Sequence, residues 1–173
     1  MSETLEVVEL PGYPPVVGAA LWRLEDTRRR TLRTLKDLPI GYIDHEIQRN
    51  TIGTILYHIA LIELNWLYVE ILEASIPNEL LYLFPEDIRD KEGKLSLVLG
   101  QTLDQHLARL STIRKTFLEK LLGMTTEEFQ RKRNFPQYEV SPEWVLHHLS
   151  QHEAKHRGEI GAVITKLNNE LKL

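Results

Sequence analysis

The sequence contains no cysteine among its 173 residues, and this absence excludes disulfide bonds, thiolate metal ligands and a cysteine nucleophile. Any thiol chemistry must therefore use a thiol from a substrate or a cofactor. An excess of positive charge is also missing, because the formal net charge is −4 and the isoelectric point is near 6.0. This charge balance argues against a nucleic-acid-binding protein, which needs a basic field to attract phosphates.

Long apolar runs and targeting signals are missing as well. We find no run that approaches the length of a membrane span, and the N-terminus lacks the charged and then apolar order of a signal peptide. These absences predict a cytoplasmic protein with no membrane partner. The content of 42% hydrophobic and 27% charged residues is typical of one soluble domain, here residues 1–173.

Apolar side chains recur with helical spacing in four long segments. After an extended lead-in at residues 1–15, we predict helices over Val16–Leu38 and Thr51–Glu73. We predict two more over Lys94–Leu122 and Ser141–Leu167, and we find no convincing strand. This pattern predicts an all-α protein, a four-helix bundle. The long connection between the second and third helices leaves those two free to run parallel or antiparallel.

A cluster of arginines lies on the polar side of the first predicted helix: Arg28, Arg29, Arg30 and Arg33. Such a cluster can form a patch for nucleic acid or an acidic partner, but it is more often a solvated helix face. The acidic balance of the whole chain favours the solvated face.

The last predicted helix carries histidines at every fourth position: His148, His152 and His156. Each step drifts by only about 40° around the helix, so the three imidazoles share one face. Val145 and Leu149 lie on or beside that face, which predicts that it is buried. A buried imidazole needs partners for both nitrogens, and a metal ion with an acceptor on the other nitrogen provides them.

Two of these histidines form an HExxH motif with Glu153 between them. Histidines at this spacing form a good chelate, and in zinc metalloproteases the glutamate of the motif is the general base. A protease is disfavoured here, because no strand is available to hold an extended peptide. Glu159 also stands where the longer metzincin motif has glycine.

The second and third helices carry one histidine each: His58 at the border of the buried arc of the second helix, and His106 at a core-facing position of the third. From position alone, a hydrogen-bonded structural histidine is the more common outcome for both. Glu63 lies on the more buried side of the second helix. This placement makes it a candidate for proton handling or for the support of a site.

Two segments of the chain together resemble the DinB-like superfamily of metal-binding four-helix bundles. The first, IGTILYHIALIELNW at residues 52–66, is similar to the family's second helix. The second, HLSQHEAKHRGEI at residues 148–160, is similar to the family's HxxxHxxxHRGQ ending. Glu159 departs from the usual glutamine, and its charge could alter metal preference or substrate. The resemblance also implies that Arg157 pairs with a carboxylate and that Gly158 permits close helix approach.

The resemblance implies a bundle of up-down-down-up order, often a homodimer. It implies three metal ligands, His58, His152 and His156, and it leaves His148 beside the site. One divalent ion would be bound, with zinc or nickel favoured and iron or manganese as alternatives.

The family's activities, as the resemblance implies them, include transfer of low-molecular-weight thiols such as bacillithiol or mycothiol and thiol-dependent isomerisation. We therefore expect a metal-dependent thiol transferase or hydrolase that acts on a small electrophile, with Glu63 or His148 moving protons. One alternative is a non-catalytic, stress-related bundle whose ion ties the second helix to the fourth. Another is a bundle whose histidines only form hydrogen bonds.

Overall fold

Four long helices dominate the computed structural model, which describes residues 5–45 and 50–171. Residues 1–4 of the predicted lead-in lie outside the described residues, and residues 5–14 precede the first helix without helical structure. Within the described part of the chain, the long helices are α1 (Pro15–Leu35), α2 (Ile52–Trp66), α4 (Leu103–Leu121) and α6 (Pro142–Leu171). The prediction of an all-α four-helix bundle is confirmed.

Residue chemistry at the helix starts explains where these helices begin. Pro15 and Pro142 occupy first helical positions, where the missing N–H is not needed. The Thr51 side chain caps α2 by accepting from the N–H of Thr54 at 2.9 Å. At the start of α4, Thr102 and Gln105 form a reciprocal capping box.

The third helix begins later than the sequence predicted, at Leu103 and not at Lys94. Gly100 adopts a φ of +72°, which breaks a helix, and the capping box then sets the new start. Leu99 fits the predicted apolar stripe, yet it is 53% exposed. Spacing alone could not reveal this break.

Short elements connect the long helices: a π-helical turn (Leu67–Ile71), α3 (Asn78–Leu81), α5 (Thr126–Gln130), β1 (Arg133–Asn134) and β2 (Glu139–Val140). The π-helical turn continues α2 to Ile71, so the predicted second helix ends close to the expected Glu73 but changes to π-helical form at Leu67. Glu73 itself has a φ of 51° and ends the helix. β1 and β2 pair antiparallel in a small hairpin that the sequence analysis did not predict.

The second and third long helices run parallel. Gly53, in the first turn of α2, packs against His106 near the start of α4. Further along both helices, Glu63 accepts a hydrogen bond from Arg114 at 2.7 Å. The sequence left this direction open, and the long connection 72–102 makes the parallel arrangement possible.

The first and last long helices run opposite to that pair. The Tyr13 hydroxyl, just before α1, donates to the carbonyl of Leu118 near the end of α4 at 2.8 Å. In α6, His152 lies beside His58, whereas the earlier residue His148 lies beside Trp66 at the end of α2. The expected up-down-down-up order is thereby confirmed.

A buried ion-pair network joins all four long helices through Arg28, Glu63, Arg114 and Glu153. Arg28 donates to Glu63 and to Glu153 at 2.8 Å each. Arg114 donates to Glu63 at 2.7 Å and to Glu153 at 3.3 Å. Each charge is therefore paired, which offsets the cost of removing it from water.

The predicted solvated face of the first helix is wrong for Arg28, which is only 6% exposed. Its neighbours Arg29, Arg30 and Arg33 are exposed, as expected. Arg28 points inward because two carboxylates from other helices and the carbonyl of Leu110 receive its N–H groups.

The stretch Ile52–Ile71 is long and apolar enough to span a membrane by length and composition. The prediction that no run approaches such a length is wrong for this stretch. The bundle nevertheless buries 78% of the apolar 18-residue segment within this stretch, as is common for a core helix. The stretch is therefore weak evidence for a membrane span.

Candidate metal centre

Three imidazoles from α2 and α6 converge on one point of the bundle: His58, His152 and His156. Their ligand nitrogens all lie within 4.8 Å of one another. The Nε2 atom of His152 lies 3.2 Å from Nε2 of His58 and 3.2 Å from Nε2 of His156. The structure thus brings together the three residues that the sequence analysis singled out as ligands.

The spacing of these nitrogens fits a divalent metal ion. Around a tetrahedral ion with metal–nitrogen distances of about 2.0–2.1 Å, two ligand nitrogens lie about 3.3–3.4 Å apart. The two 3.2 Å separations at His152 are close to this value. With hydrogen bonds alone, one lone pair or one N–H of His152 would have to serve two neighbours. Three lone pairs directed at one cation need no such sharing.

The second ring nitrogens of the cluster differ in their partners. Nδ1 of His156 lies 2.7 Å from Oε2 of Glu159. This carboxylate favours a proton on Nδ1, so the lone pair of Nε2 faces the cluster. Nδ1 of His58 is buried without a hydrogen-bond partner in the described part of the chain.

Burial keeps two imidazoles of the cluster, those of His58 and His152, uncharged near neutral pH. Burial, together with the neighbouring His156, lowers the pKa of His58 from 6.5 to about 4. Burial and the adjacent His156 and His58 lower the pKa of His152 to about 3. Neutral imidazoles carry the lone pairs that a metal ion requires, so these two residues can bind a cation at pH 7.

The glutamate of the HExxH motif points away from the imidazoles and into the ion-pair network. Glu153 is 2% exposed, and it accepts from Arg28 at 2.8 Å and from Arg114 at 3.3 Å. A metalloprotease needs this carboxylate beside the metal-bound water. This arrangement therefore disfavours a metalloprotease. The ion pairs of Glu153 also fix the rotation of α6 that directs His152 and His156 into the cluster.

The two candidate proton-handling residues lie in different surroundings. Glu63 is 2% exposed, and its two oxygens accept from Arg114 and Arg28. Although burial would raise the pKa of Glu63, these two arginines lower it, so the carboxylate stays ionised. His148 lies nearer the cluster, with its ring centroid 6.0 Å from that of His152.

His106 lies outside the three-histidine cluster. Its Nδ1 is 3.0 Å from Nη1 of Arg109, and its ring packs against Gly53. Burial, followed by the charge of Arg109, lowers the pKa of His106 to about 4. These contacts fit the structural role that its position suggested.

Two expectations drawn from the family resemblance differ from the structure. Nη1 of Arg157 is buried and has no hydrogen-bond partner among the described residues, so the expected pairing with a carboxylate is not seen there. A Cβ atom added at Gly158 would meet no described atom within 4 Å. Gly158 therefore does not permit a close helix approach, and this expectation was wrong.

Aromatic rings next to His148 were not identified from the sequence as part of the site. The ring of Trp144 is stacked on His148 at 5.0 Å with an interplanar angle of 7°. Trp66 contacts the same imidazole at 4.8 Å. The sequence did indicate one of these contacts, because Trp144 precedes His148 by one helical turn on the histidine face.

Comparisons with known proteins agree with this architecture. The family model of the DinB superfamily matches residues 23–160. A solved structure from Bacillus subtilis, YfiT, is described as a probable metal-dependent hydrolase with an unusual four-helix bundle topology. It shares 16% identity with this chain, the alignment covers 99% of this chain and 94% of YfiT, and the TM-score is 0.58. This identity shows a common fold alone. No curated protein matches the chain.

Proposed function

The chain belongs to the DinB superfamily, and on this premise we propose that it is a metal-dependent hydrolase or thiol transferase acting on a small electrophilic substrate. The observation that carries the proposal is the convergence of three imidazoles, in which Nε2 of His152 lies 3.2 Å from Nε2 of both His58 and His156, close to a tetrahedral edge. Three protein ligands leave a coordination position open, as in catalytic sites.

His58, His152 and His156 would hold one divalent ion, for which zinc and nickel suit an all-imidazole set. When bound, such an ion lowers the pKa of water, keeps a thiol deprotonated or polarises a carbonyl. Glu159 orients the ring of His156 through Nδ1. This contact supplies the outer support that metal-binding histidines normally have.

Of the two proton-handling candidates, we assign the role to His148. Burial, followed by the neighbouring His147, lowers the pKa of His148, so its imidazole is neutral at pH 7 and can accept a proton. Glu63 is ionised and fully paired with Arg28 and Arg114, so accepting a proton would break the buried network. We assign Glu63 a role in holding the helices around the site.

YfiT, the probable metal-dependent hydrolase of similar fold, supports the hydrolase alternative. The absence of cysteine supports the transferase alternative only in that any thiol must come from outside the chain. A non-catalytic metal bundle would require a saturated coordination shell. The cluster offers three donors within the described residues, which favours an enzyme over this rival.

Metal analysis of the purified protein tests the ligand set. We expect about one equivalent of divalent metal per chain in the wild type and close to none in His58→Ala and His152→Ala, because two imidazoles bind far more weakly than three. His45→Ala, which removes an exposed histidine, is the matched control and should keep its metal. A metal-free wild type, or full occupancy in His152→Ala, would contradict the proposal.

Activity assays separate the two reactions. The metal-loaded protein would be incubated with p-nitrophenyl acetate alone, and with 1-chloro-2,4-dinitrobenzene plus cysteine, glutathione or bacillithiol. Metal-dependent turnover of the ester would support the hydrolase, and thiol-dependent turnover of the aryl chloride would support the transferase. Activity that is unchanged in His58→Ala would exclude the metal site from either reaction.

A further inference from the structure

We propose that Trp66, Tyr138 and Trp144 form a recognition subsite for a planar aromatic group of the substrate. The inference rests on the proposed function, because it assigns the substrate class of the same metal site. Nothing in the HxxxHxxxH pattern requires these rings. The argument for them comes from a pocket, from the ring contacts between its walls and His148, and from the way each ring is held.

A pocket of about 340 Å³ lies between α2, α6 and the β1–β2 hairpin. Trp66, Tyr138 and Trp144 line it, and Lys132 and Glu139 form a polar edge. The volume is at the lower end of the range for small-molecule sites, and an aromatic lining with few polar groups is typical of them. The pocket therefore suits a single ring-sized group.

His148 packs between two walls of the pocket and the histidine cluster. These two walls contact the imidazole, Trp144 at 5.0 Å and Trp66 at 4.8 Å between ring centroids. The centroid of His148 in turn lies 6.0 Å from that of His152. A substrate with its ring in the pocket would therefore lie next to His148, the neighbour of the proposed ligand His152.

The walls are fixed although two of them are open to solvent. Tyr138 is 43% exposed and Trp144 is 48% exposed, so neither ring is required to fill the core. The hydroxyl of Tyr138 donates to Oε1 of the buried Glu70 at 2.9 Å. Trp66 lies between the other two rings, 6.4 Å from Tyr138 and 5.7 Å from Trp144. Rigid, exposed aromatic rings are typical of recognition surfaces.

The polar edge of the pocket indicates a ligand group without net charge. Lys132 and Glu139 pair with each other at 2.9 Å, so neither charge is left to select an ion. What remains are the faces and edges of aromatic rings, which prefer another ring over a saturated group of similar area. We therefore assign the pocket to an aromatic group and not to an alkyl chain.

A larger groove of about 750 Å³ also includes Trp144, and it is the main rival location. Small and polar side chains of α1 and α6 line most of that groove, including Ala19, Ala20 and Ser150. It does not include Trp66, so it lacks the second ring that borders His148. Substitution of Tyr138, which lines only the smaller pocket, distinguishes the two locations.

The test measures binding of two matched probes, benzyl alcohol and cyclohexylmethanol, to uniformly 15N-labelled protein by NMR. The three tryptophans give three indole N–H signals, of which Trp66 and Trp144 report on the pocket. Trp22 on α1, which stacks under Arg29, is the internal control. Substitution of each tryptophan by phenylalanine assigns the signals.

We expect benzyl alcohol to shift the signals of Trp66 and Trp144 but not that of Trp22, with a dissociation constant about fivefold lower than for cyclohexylmethanol. Trp144→Ala and Tyr138→Ala should reduce this preference to less than about twofold. Tyr138→Phe, which keeps the ring, should retain most of it. Equal affinity for the two probes, or a preference that survives both alanine substitutions, would overturn the proposal.

The same titration on His152→Ala separates this inference from the proposed function. Because the probes need no metal, the preference for benzyl alcohol should persist in His152→Ala. Loss of metal binding or activity in that variant tests the metal centre and leaves the subsite result intact. Loss of the preference in His152→Ala would overturn the subsite as an independent element of the fold.

Discussion

Glu159 stands where the family resemblance predicts glutamine, and it touches a proposed ligand. Its Oε2 lies 2.7 Å from Nδ1 of His156, while its other oxygen is 3.7 Å from Lys155. A carboxylate on Nδ1 makes the imidazole a stronger donor than an amide does. The departure therefore acts directly on the strength of the site.

We expect Glu159→Ala to weaken metal binding by about 10- to 100-fold, and Glu159→Gln to weaken it less. A competition titration with a chromophoric chelator would measure the affinities. Glu170→Ala is the matched control, because Glu170 lies on the same helix and faces Lys166 at a similar 3.8 Å. Equal metal affinity in Glu159→Ala and Glu170→Ala would show that the carboxylate does not support the ligand.

Glu153 provides a second test at the scale of single residues. Because its substitution removes one of the two buried carboxylates that Arg28 and Arg114 share, we expect Glu153→Ala to destabilise the fold by about 3–5 kcal/mol. Urea unfolding would measure the loss, with Glu143→Ala on the exposed side of α6 as the control. A stable Glu153→Ala protein without hydrolytic activity would instead support the metalloprotease role.

Sequence reasoning worked for some residues of the site and not for others, for physical reasons. Helical spacing alone directs His152 and His156 to one face, so their proximity could be predicted. The pairing of Glu153 with Arg28 spans 125 positions, and nothing local to either residue encodes it. The clustering of arginines on one helix face therefore led to the prediction that Arg28 is solvated, although its partners lie in the core.

At the scale of helices, two glycines make a matched pair. A Cβ atom on Gly53 would lie 2.9 Å from Nε2 of His106 and 3.3 Å from the carbonyl oxygen of Ile43. A Cβ atom on Gly161 would meet no described atom within 4 Å. The first glycine sets how closely α2 approaches α4, whereas the second only weakens α6.

We expect Gly53→Ala to destabilise the protein by about 1–3 kcal/mol, because the ring and the carbonyl must both move. We expect Gly161→Ala to stabilise it by about 0.5–1 kcal/mol through helix propensity alone. Chemical denaturation of both variants would measure the two effects. The same sign for both substitutions would contradict the packing seen between α2 and α4.

Helix boundaries were predictable where a cap or a proline marks them. Pro142 and Thr51 identified the starts of α6 and α2 to within a residue. The start of α4 was placed too early, because the apolar spacing continues through Leu99. The positive φ of Gly100 decided the boundary, and a glycine alone does not reveal its φ.

For the whole molecule, buried histidines make stability depend on pH. Burial lowers the pKa of His58 and His106 to about 4 and that of His152 to about 3, from 6.5. Between these values and 6.5 the unfolded chain binds more protons than the folded one. The free energy of unfolding of the metal-free protein therefore falls as pH decreases through this window.

We expect each of these histidines to lower the free energy of unfolding by about 1 kcal/mol for each unit of decrease in pH, after allowance for partial solvation. Urea unfolding at pH 7, 5.5 and 4.5 would measure it. His106→Gln, outside the histidine cluster, should show a smaller loss than the wild type, and His45→Gln, at an exposed position, serves as the control. If the stability of His106→Gln depended on pH as strongly as that of the wild type, His106 would be excluded as a source of the pH dependence.

The direction of the helices could not be read from the sequence. Periodicity gave four amphipathic helices, but the parallel pairing of α2 with α4 depends on contacts such as Glu63 with Arg114, 51 positions apart. The family resemblance supplied the order that periodicity left open. The same resemblance also linked His58 to the histidines of α6, which its position in α2 alone did not indicate.

The cluster joins His58 to His152 across 94 positions of chain, with the connection 72–102 lying between them. A bound ion would consequently cross-link two halves of the polypeptide without a covalent bond. If a protease cut the chain once within that connection, we expect the pieces to stay associated while the ion is bound and to separate more readily after chelation. Size-exclusion chromatography of the nicked protein, with and without chelator, would detect this separation of the pieces. Identical profiles would show that the ion does not cross-link them.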